Sequence, residues 1–165
     1  MIQDIVKDKV AAMDANGDSF AFLLSERDWQ NLVADEIEDD FLTAFPNKDD
    51  KMLPAVFMDM PIKFRPKVLK GGRFVREYPC VLLFLYKSNL DANPKEQHAQ
   101  YLKAEKAQEQ FHLMLSQDTD NIEAYEPGEC FQILNVYDSN LDGVVFPVSI
   151  TPRNSNPVCT PILTT

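Results

Sequence analysis

The residue types most able to do chemistry cluster in a few places along this chain. Asp138-Ser-Asn140-Leu-Asp142-Gly143 matches the first half of a calcium-binding loop, with oxygens at positions 1, 3 and 5 and glycine at 6. Position 12 is Ser149 where such a loop needs a bidentate glutamate, and the flanking residues read as strands where it needs helices. The pattern is therefore expected to be a hairpin turn. Asp14, Asn16 and Asp18 offer similar oxygens, but Gly17 stands at position 4 and Ser25 at position 12, so they too read as turn chemistry. His98 and His112 share one face of a helix yet stand about 21 Å apart along it, too far for one site. A serine or cysteine nucleophile would have to reach that helix through the fold. Lys70-Gly71-Gly72-Arg73 lacks the spacing and the following helix of a phosphate loop. No catalytic, cofactor-binding or metal-ligating set is expected, and the chain reads as non-enzymatic.

The three cysteines, Cys80, Cys130 and Cys159, are widely spaced and odd in number, which suggests neither a disulfide framework nor a zinc motif. Cys80 and Cys130 fall in apolar strand runs and are expected to be buried thiols in a reducing, cytosolic setting. The chain's 165 residues, 45% hydrophobic and 25% charged, fit one domain that buries about 70% of its unfolded surface. The first ten residues are too charged for a signal peptide and the longest apolar run, 81–86, is too short for a bilayer, so a soluble protein without membrane contact is expected.

Net charge is −10, which argues against a general nucleic-acid-binding surface. The charge is also segregated. Residues 61–78 hold Lys63, Arg65, Lys67, Lys70, Arg73 and Arg76 against one acid, Glu77, so this segment is +5 and the remainder −15. Such segregation is a common basis for association.

These features must be placed by a small set of elements. Ile2, Ile5, Val6, Val10 and Met13 form one stripe of an amphipathic helix, with Lys9 off it, and Asp14-Ala-Asn-Gly-Asp18 stops it. Phe20-Ala-Phe-Leu-Leu24 reads as a strand, followed by a turn or short helix around Trp29, Leu32 and Val33. Residues 53–60 are a strand with Ala55, Phe57 and Asp59 on one face and Val56, Met58 and Met60 on the other. The basic segment breaks at Pro66 and turns at Gly71-Gly72, a protruding β-hairpin arm over 61–78. Residues 81–85 are apolar on both faces and belong in mid-sheet. Asn93, Pro94 and Glu96 make a helix start, and Gln97, Tyr101, Ala104, Ala107, Phe111, Met114 and Leu115 stripe the long helix that follows. Asp118-Thr-Asp-Asn121 ends that helix. A hairpin then runs over 131–150 and turns on Asn140-Leu141-Asp142-Gly143, with Pro147 moving its second strand toward an edge or bulge. Residues 1–150 are thus a single α+β domain: a mixed, mainly antiparallel sheet with an amino-terminal helix and one long helix packed on it. Residues 151–165 form an extended tail.

An amino-terminal helix, a proline-led strand (Leu53-Pro-Ala-Val-Phe-Met), a basic arm, a second proline-led strand (Tyr78-Pro-Cys-Val-Leu-Leu-Phe), one long helix and a closing Asp-Gly hairpin occur in that order. Over residues 1–150 this order resembles the tail-terminator and tail-completion proteins of long-tailed bacteriophages. The resemblance implies a structural virion subunit without cofactor that forms a ring, commonly a hexamer, joining the tail to the head. Neighbouring tail-tube or connector proteins would be its partners, and DNA would pass through without specific binding. The candidate subunit interface sets Lys63, Arg65, Lys67, Lys70, Arg73 and Arg76 of one copy against Asp35, Glu36, Glu38, Asp39 and Asp40 of the next. The alternative is a small adaptor that uses the basic hairpin to hold an acidic partner.

Overall fold

The computed structural model describes residues 2–24, 54–59, 62–87, 94–133 and 141–153. The segment around Trp29, the acids at 35–40, Asn93, Asp138, Asn140, Cys159 and the tail beyond Arg153 lie outside the described residues.

Helix α1 spans Ile2–Ala12 and α2 spans Pro94–Gln117; the strands are β1 (Ala21–Leu24), β2 (Ala55–Met58), β3 (Arg65–Val68), β4 (Phe74–Lys87), β5 (Ile122–Pro127), β6 (Phe131–Ile133) and β7 (Leu141–Pro152). The seven-stranded sheet runs β1-β2-β4-β7-β5, with β3 added to β4 and β6 added to β7. β1 and β2 are parallel and the other pairings are antiparallel, so the fold is α+β with a mixed, mainly antiparallel sheet.

β4 and β7 form the axis of the sheet. They pair from Tyr78↔Ile150 to Lys87↔Leu141 without a register shift. Because strand side chains alternate, the two apolar sets of β4 separate onto opposite faces. Leu82 and Phe84 join Val56, Met58, Phe146 and Val148 on the face that receives both helices. Leu83 and Leu85 join Ala55, Phe57 and Val145 on the other. This is the double burial that an uninterrupted apolar run requires in a central strand.

The α1 stripe packs as its spacing demands: Ile2, Val6, Val10 and Met13 are buried. α2 has no glycine or β-branched residue after its leading proline, so helix propensity is high throughout. Ala104, Ala107, Phe111 and Leu115 are its buried line. Lys9 departs from expectation: it is buried and its ammonium donates to Asp118, just past the end of α2. Asp118 also accepts from the Asn121 backbone N–H and side-chain amide, which closes the helix end as its sequence suggested.

Burial alone would raise the Asp118 carboxyl, but the Lys9 and Asn121 hydrogen bonds outweigh it and hold the group below the ordinary carboxylate value. A depressed folded value contributes stability above the unfolded carboxyl range and loses it as pH falls through the folded value. Asp118→Asn should cost about 2 kcal/mol at pH 7, the range for a hydrogen bond between charged groups, because the Lys9 ammonium loses its counter-charge. The gap to wild type should begin to close below about pH 4, near the unfolded aspartate value, and narrow further as pH falls through the folded value. Urea unfolding of both proteins at pH 7 and pH 3 checks this, and an equal gap at both pH values would rule it out.

Three local expectations are corrected by the topology. Leu141, Asp142 and Gly143 are not the turn of the last hairpin but the first residues of β7, paired with Lys87, Tyr86 and Leu85. In the β6 register, Phe131↔Val145 to Ile133↔Gly143, Gly143 is again a paired strand residue. β7 is also interior despite Pro147, flanked by β4 on one side and by β5 and β6 on the other. The Val81 carbonyl, opposite Pro147, points away to accept from Asp59, while the Pro147 carbonyl accepts from Gly128 in the gap between β5 and β6. The missing proline N–H thus falls where no ladder bond is required. Lastly, Thr151 and Pro152 belong to β7, paired with Ala124 and Ile122, so the domain extends past 150.

Candidate functional site

The basic arm forms by the turn its glycines permit. Leu69 N–H donates to the Arg73 carbonyl, and Gly71 and Gly72 take φ of +89° and +79°, values open to glycine. The register Arg65↔Glu77, Lys67↔Val75 and Val68↔Phe74 then gives the arm two unlike faces. On one, Glu77 is buried between Arg65, at 3.1 Å, and Lys67. The other face continues the helix side of β4 by alternation and carries Phe64, Pro66, Val68, Phe74 and Arg76. The Arg76 guanidinium lies over the Phe64 ring at 4.8 Å, and that ring sits 6.1 Å from Tyr78. Arg73, at the turn, reaches Glu123 of β5 and ties the arm back to the sheet.

Structure therefore sorts the six expected interface cations. Arg65, Lys67 and Arg73 hold carboxylates of their own chain, Arg76 is stacked, and Lys63 and Lys70 are exposed. The acids set against them, Asp35, Glu36, Glu38, Asp39 and Asp40, lie outside the described residues.

At the base of the arm, on the face opposite the helices, lies a cleft of about 440 Å³. Pro79 and Val81 of β4 and Pro147 of β7 make an apolar floor, and Lys63, Arg65 and Glu126 stand around it. The floor draws on adjacent strands and the rim on the arm and β5, so no contiguous motif could announce it. The only sequence signal is the pair of prolines, Pro79 and Pro147, that the β4–β7 register brings near one another.

The other chemically promising residues take structural roles. Asn16 adopts φ 58°, and its amide donates to the Tyr86 hydroxyl and the Lys103 carbonyl, each at 3.0 Å. The Tyr86 hydroxyl donates to Asp18 at 3.0 Å. Burial pushes this phenol well above its ordinary value; Asn16 opposes that shift and Asp18 adds to it. The loop at 14–18 thus clamps α1 to the sheet and to α2, where Gln110 also accepts from the Asp14 and Ala15 N–H groups.

His112 packs between Tyr125, whose hydroxyl is 3.0 Å from Nε2, and Phe146, so it is half-buried and partnered; His98 is exposed near Tyr101. Cys80 is buried as expected, and burial pushes its thiol up to about 12, leaving no thiolate nucleophile at neutral pH. Cys130 is exposed, contrary to its apolar sequence context, and lies between β5 and β6 outside both strands. Among the described residues no group of three histidine, cysteine or acidic side chains could hold a metal ion, and no helix is long and apolar enough to cross a membrane.

The sequence matches no family model, and a search of curated proteins finds no relative.

Proposed function

We propose that this chain is a structural subunit of a tailed-bacteriophage virion, assembling into a ring that terminates the tail or joins it to the head. The observation that carries this reading is the arm: a +5 hairpin with an exposed apolar face, mounted on a body whose net charge is −15. A charge split of this kind favours association between copies, and with Arg65, Lys67 and Arg73 paired inside the chain the arm offers a neighbour Lys63, Lys70 and its exposed apolar face. The acidic balance also suits a channel through which DNA moves without adhering. Support for this reading also comes from the build of the described fold, a sheet-and-helix body with its own core and a hairpin extension.

Native mass spectrometry or light scattering on the whole chain tests the proposal. The expected particle is a single species at an integer multiple, three or more, of the 18.8 kDa chain mass. A monomer at tens of micromolar (~50 µM, a concentration at which micromolar interfaces are occupied) would overturn the ring and leave the arm as an adaptor's grip on an acidic partner.

A further inference from the structure

We propose that the arm of one copy inserts into the cleft at the base of the next copy's arm, joining copies head to tail. The inference rests on the ring reading for its partner, a second copy of this chain, and adds which surfaces meet. On the donor side, Phe64 is 51% exposed, Val68 62% and Phe74 62%. These side chains share one face of the hairpin, and exposed apolar groups gathered in this way mark a contact surface. The arm's cations are less available than their number suggests, since Arg65, Lys67 and Arg73 are engaged within the chain. The apolar face supplies the contact, and Lys70 beside the turn keeps the tip positive.

On the acceptor side, the cleft's 440 Å³ lies within the range of pockets that enclose a small ligand, about 300–1,000 Å³. It can take the Phe74 ring together with Val68. Its floor of Pro79, Val81 and Pro147 is apolar, matching those side chains, while its charged lining is balanced, Asp59 and Glu126 against Lys63 and Arg65, so apolar burial and not charge is what seats the arm. Donor and acceptor lie on opposite faces of one strand. Phe74 belongs to the even-numbered set of β4 and Pro79 and Val81 to the odd-numbered set. A projection on one face and a recess on the other make a heterologous contact, which repeats into a ring when the rotation closes and a filament when it does not.

Two variants separate this arrangement from other modes of assembly. Phe74→Ser removes the inserted ring from an exposed position, and Ser149→Arg fills the cleft from its lining. Under conditions where wild type is a ring, each variant alone should run as a monomer in native mass spectrometry. An equimolar mixture should form pairs and nothing larger, because the intact arm of the Ser149→Arg chain enters the open cleft of the Phe74→Ser chain while the remaining two ends are blocked. If Ser149→Arg loses its far-ultraviolet circular dichroism, Glu126→Lys takes its place as the cleft variant. Undiminished assembly of Phe74→Ser or of the cleft variant, or a mixture that stays monomeric, overturns the insertion and leaves the ring reading standing. A monomeric wild type overturns both.

Discussion

Phe84→Ala should lower the unfolding free energy by about 4 kcal/mol, the range for removing a fully buried phenylalanine. Phe84 has no exposed surface and stands in β4 between Val56 of β2 and Val144 of β7. Its ring meets Phe111 of α2 edge-on at 5.6 Å and Phe146 of β7 at 6.4 Å. Truncation removes transfer free energy, leaves a cavity, and forfeits aromatic contacts worth about 1 kcal/mol each. The cavity cannot close easily, because two of its walls are ladder-paired strands and the third is a 24-residue helix held at both ends of its buried line. For a domain whose net stability lies in the range of about 5–15 kcal/mol, this single change consumes much of it. Urea denaturation followed by circular dichroism provides the measurement. A loss under about 1 kcal/mol would mean that α2 does not depend on this contact for its seat on the sheet.

How much of this was legible beforehand depended on whether the chain states its periodicity plainly. α1 and α2 do, with buried residues at three- and four-residue spacing, and so does β4, whose apolar run is buried on both faces. Lys9 was misplaced because its stem is long and its partner Asp118 is remote in sequence, so no local pattern marks it as buried. β5 carries no strand signature in the sequence. Ile122 and Tyr125 both contribute to the helix-side core although three residues apart, a spacing no regular strand allows. The register shift between Ile122 and Ala124 permits it, and that irregularity erases the alternation by which a strand is recognised.

The arm was visible in outline through its glycine pair and its charge. Its two-faced character was not, because which cations are held inward follows from register and from Glu77 and Glu123, contributed by different strands. The cleft was invisible for the same reason. Its floor exists only once β4 and β7 are paired and β5 and β6 leave their gap at Pro147.

Gly143→Ala should be the most disruptive small substitution on β7. A Cβ at this position would stand 2.1 Å from the Phe84 carbonyl oxygen and 3.1 Å from a Leu85 methyl carbon. Main-chain oxygen in a paired strand cannot yield as a flexible side chain can, so β7 must move away from β4. The expected cost is about 3 kcal/mol, at the upper end for overpacking. The sign is the informative part: at an unstrained glycine the same change stabilises by about 0.4–1 kcal/mol through the unfolded chain. Gly143 is not among the positive-φ glycines, unlike Gly71 and Gly72, so its requirement is proximity to β4 and not backbone conformation. Gly71→Ala is the matched control, since it has open space around its Cβ position but a φ of +89°, and should cost only about 1 kcal/mol. Chemical denaturation of the two variants side by side decides the matter, and a Gly143→Ala protein as stable as wild type would show that the two strands do not approach so closely. Displacing β7 also moves Pro147, four residues along the same strand, and with it the floor of the cleft. On the proposed insertion, a Gly143→Ala protein that still folds should assemble more weakly as well as unfold more easily.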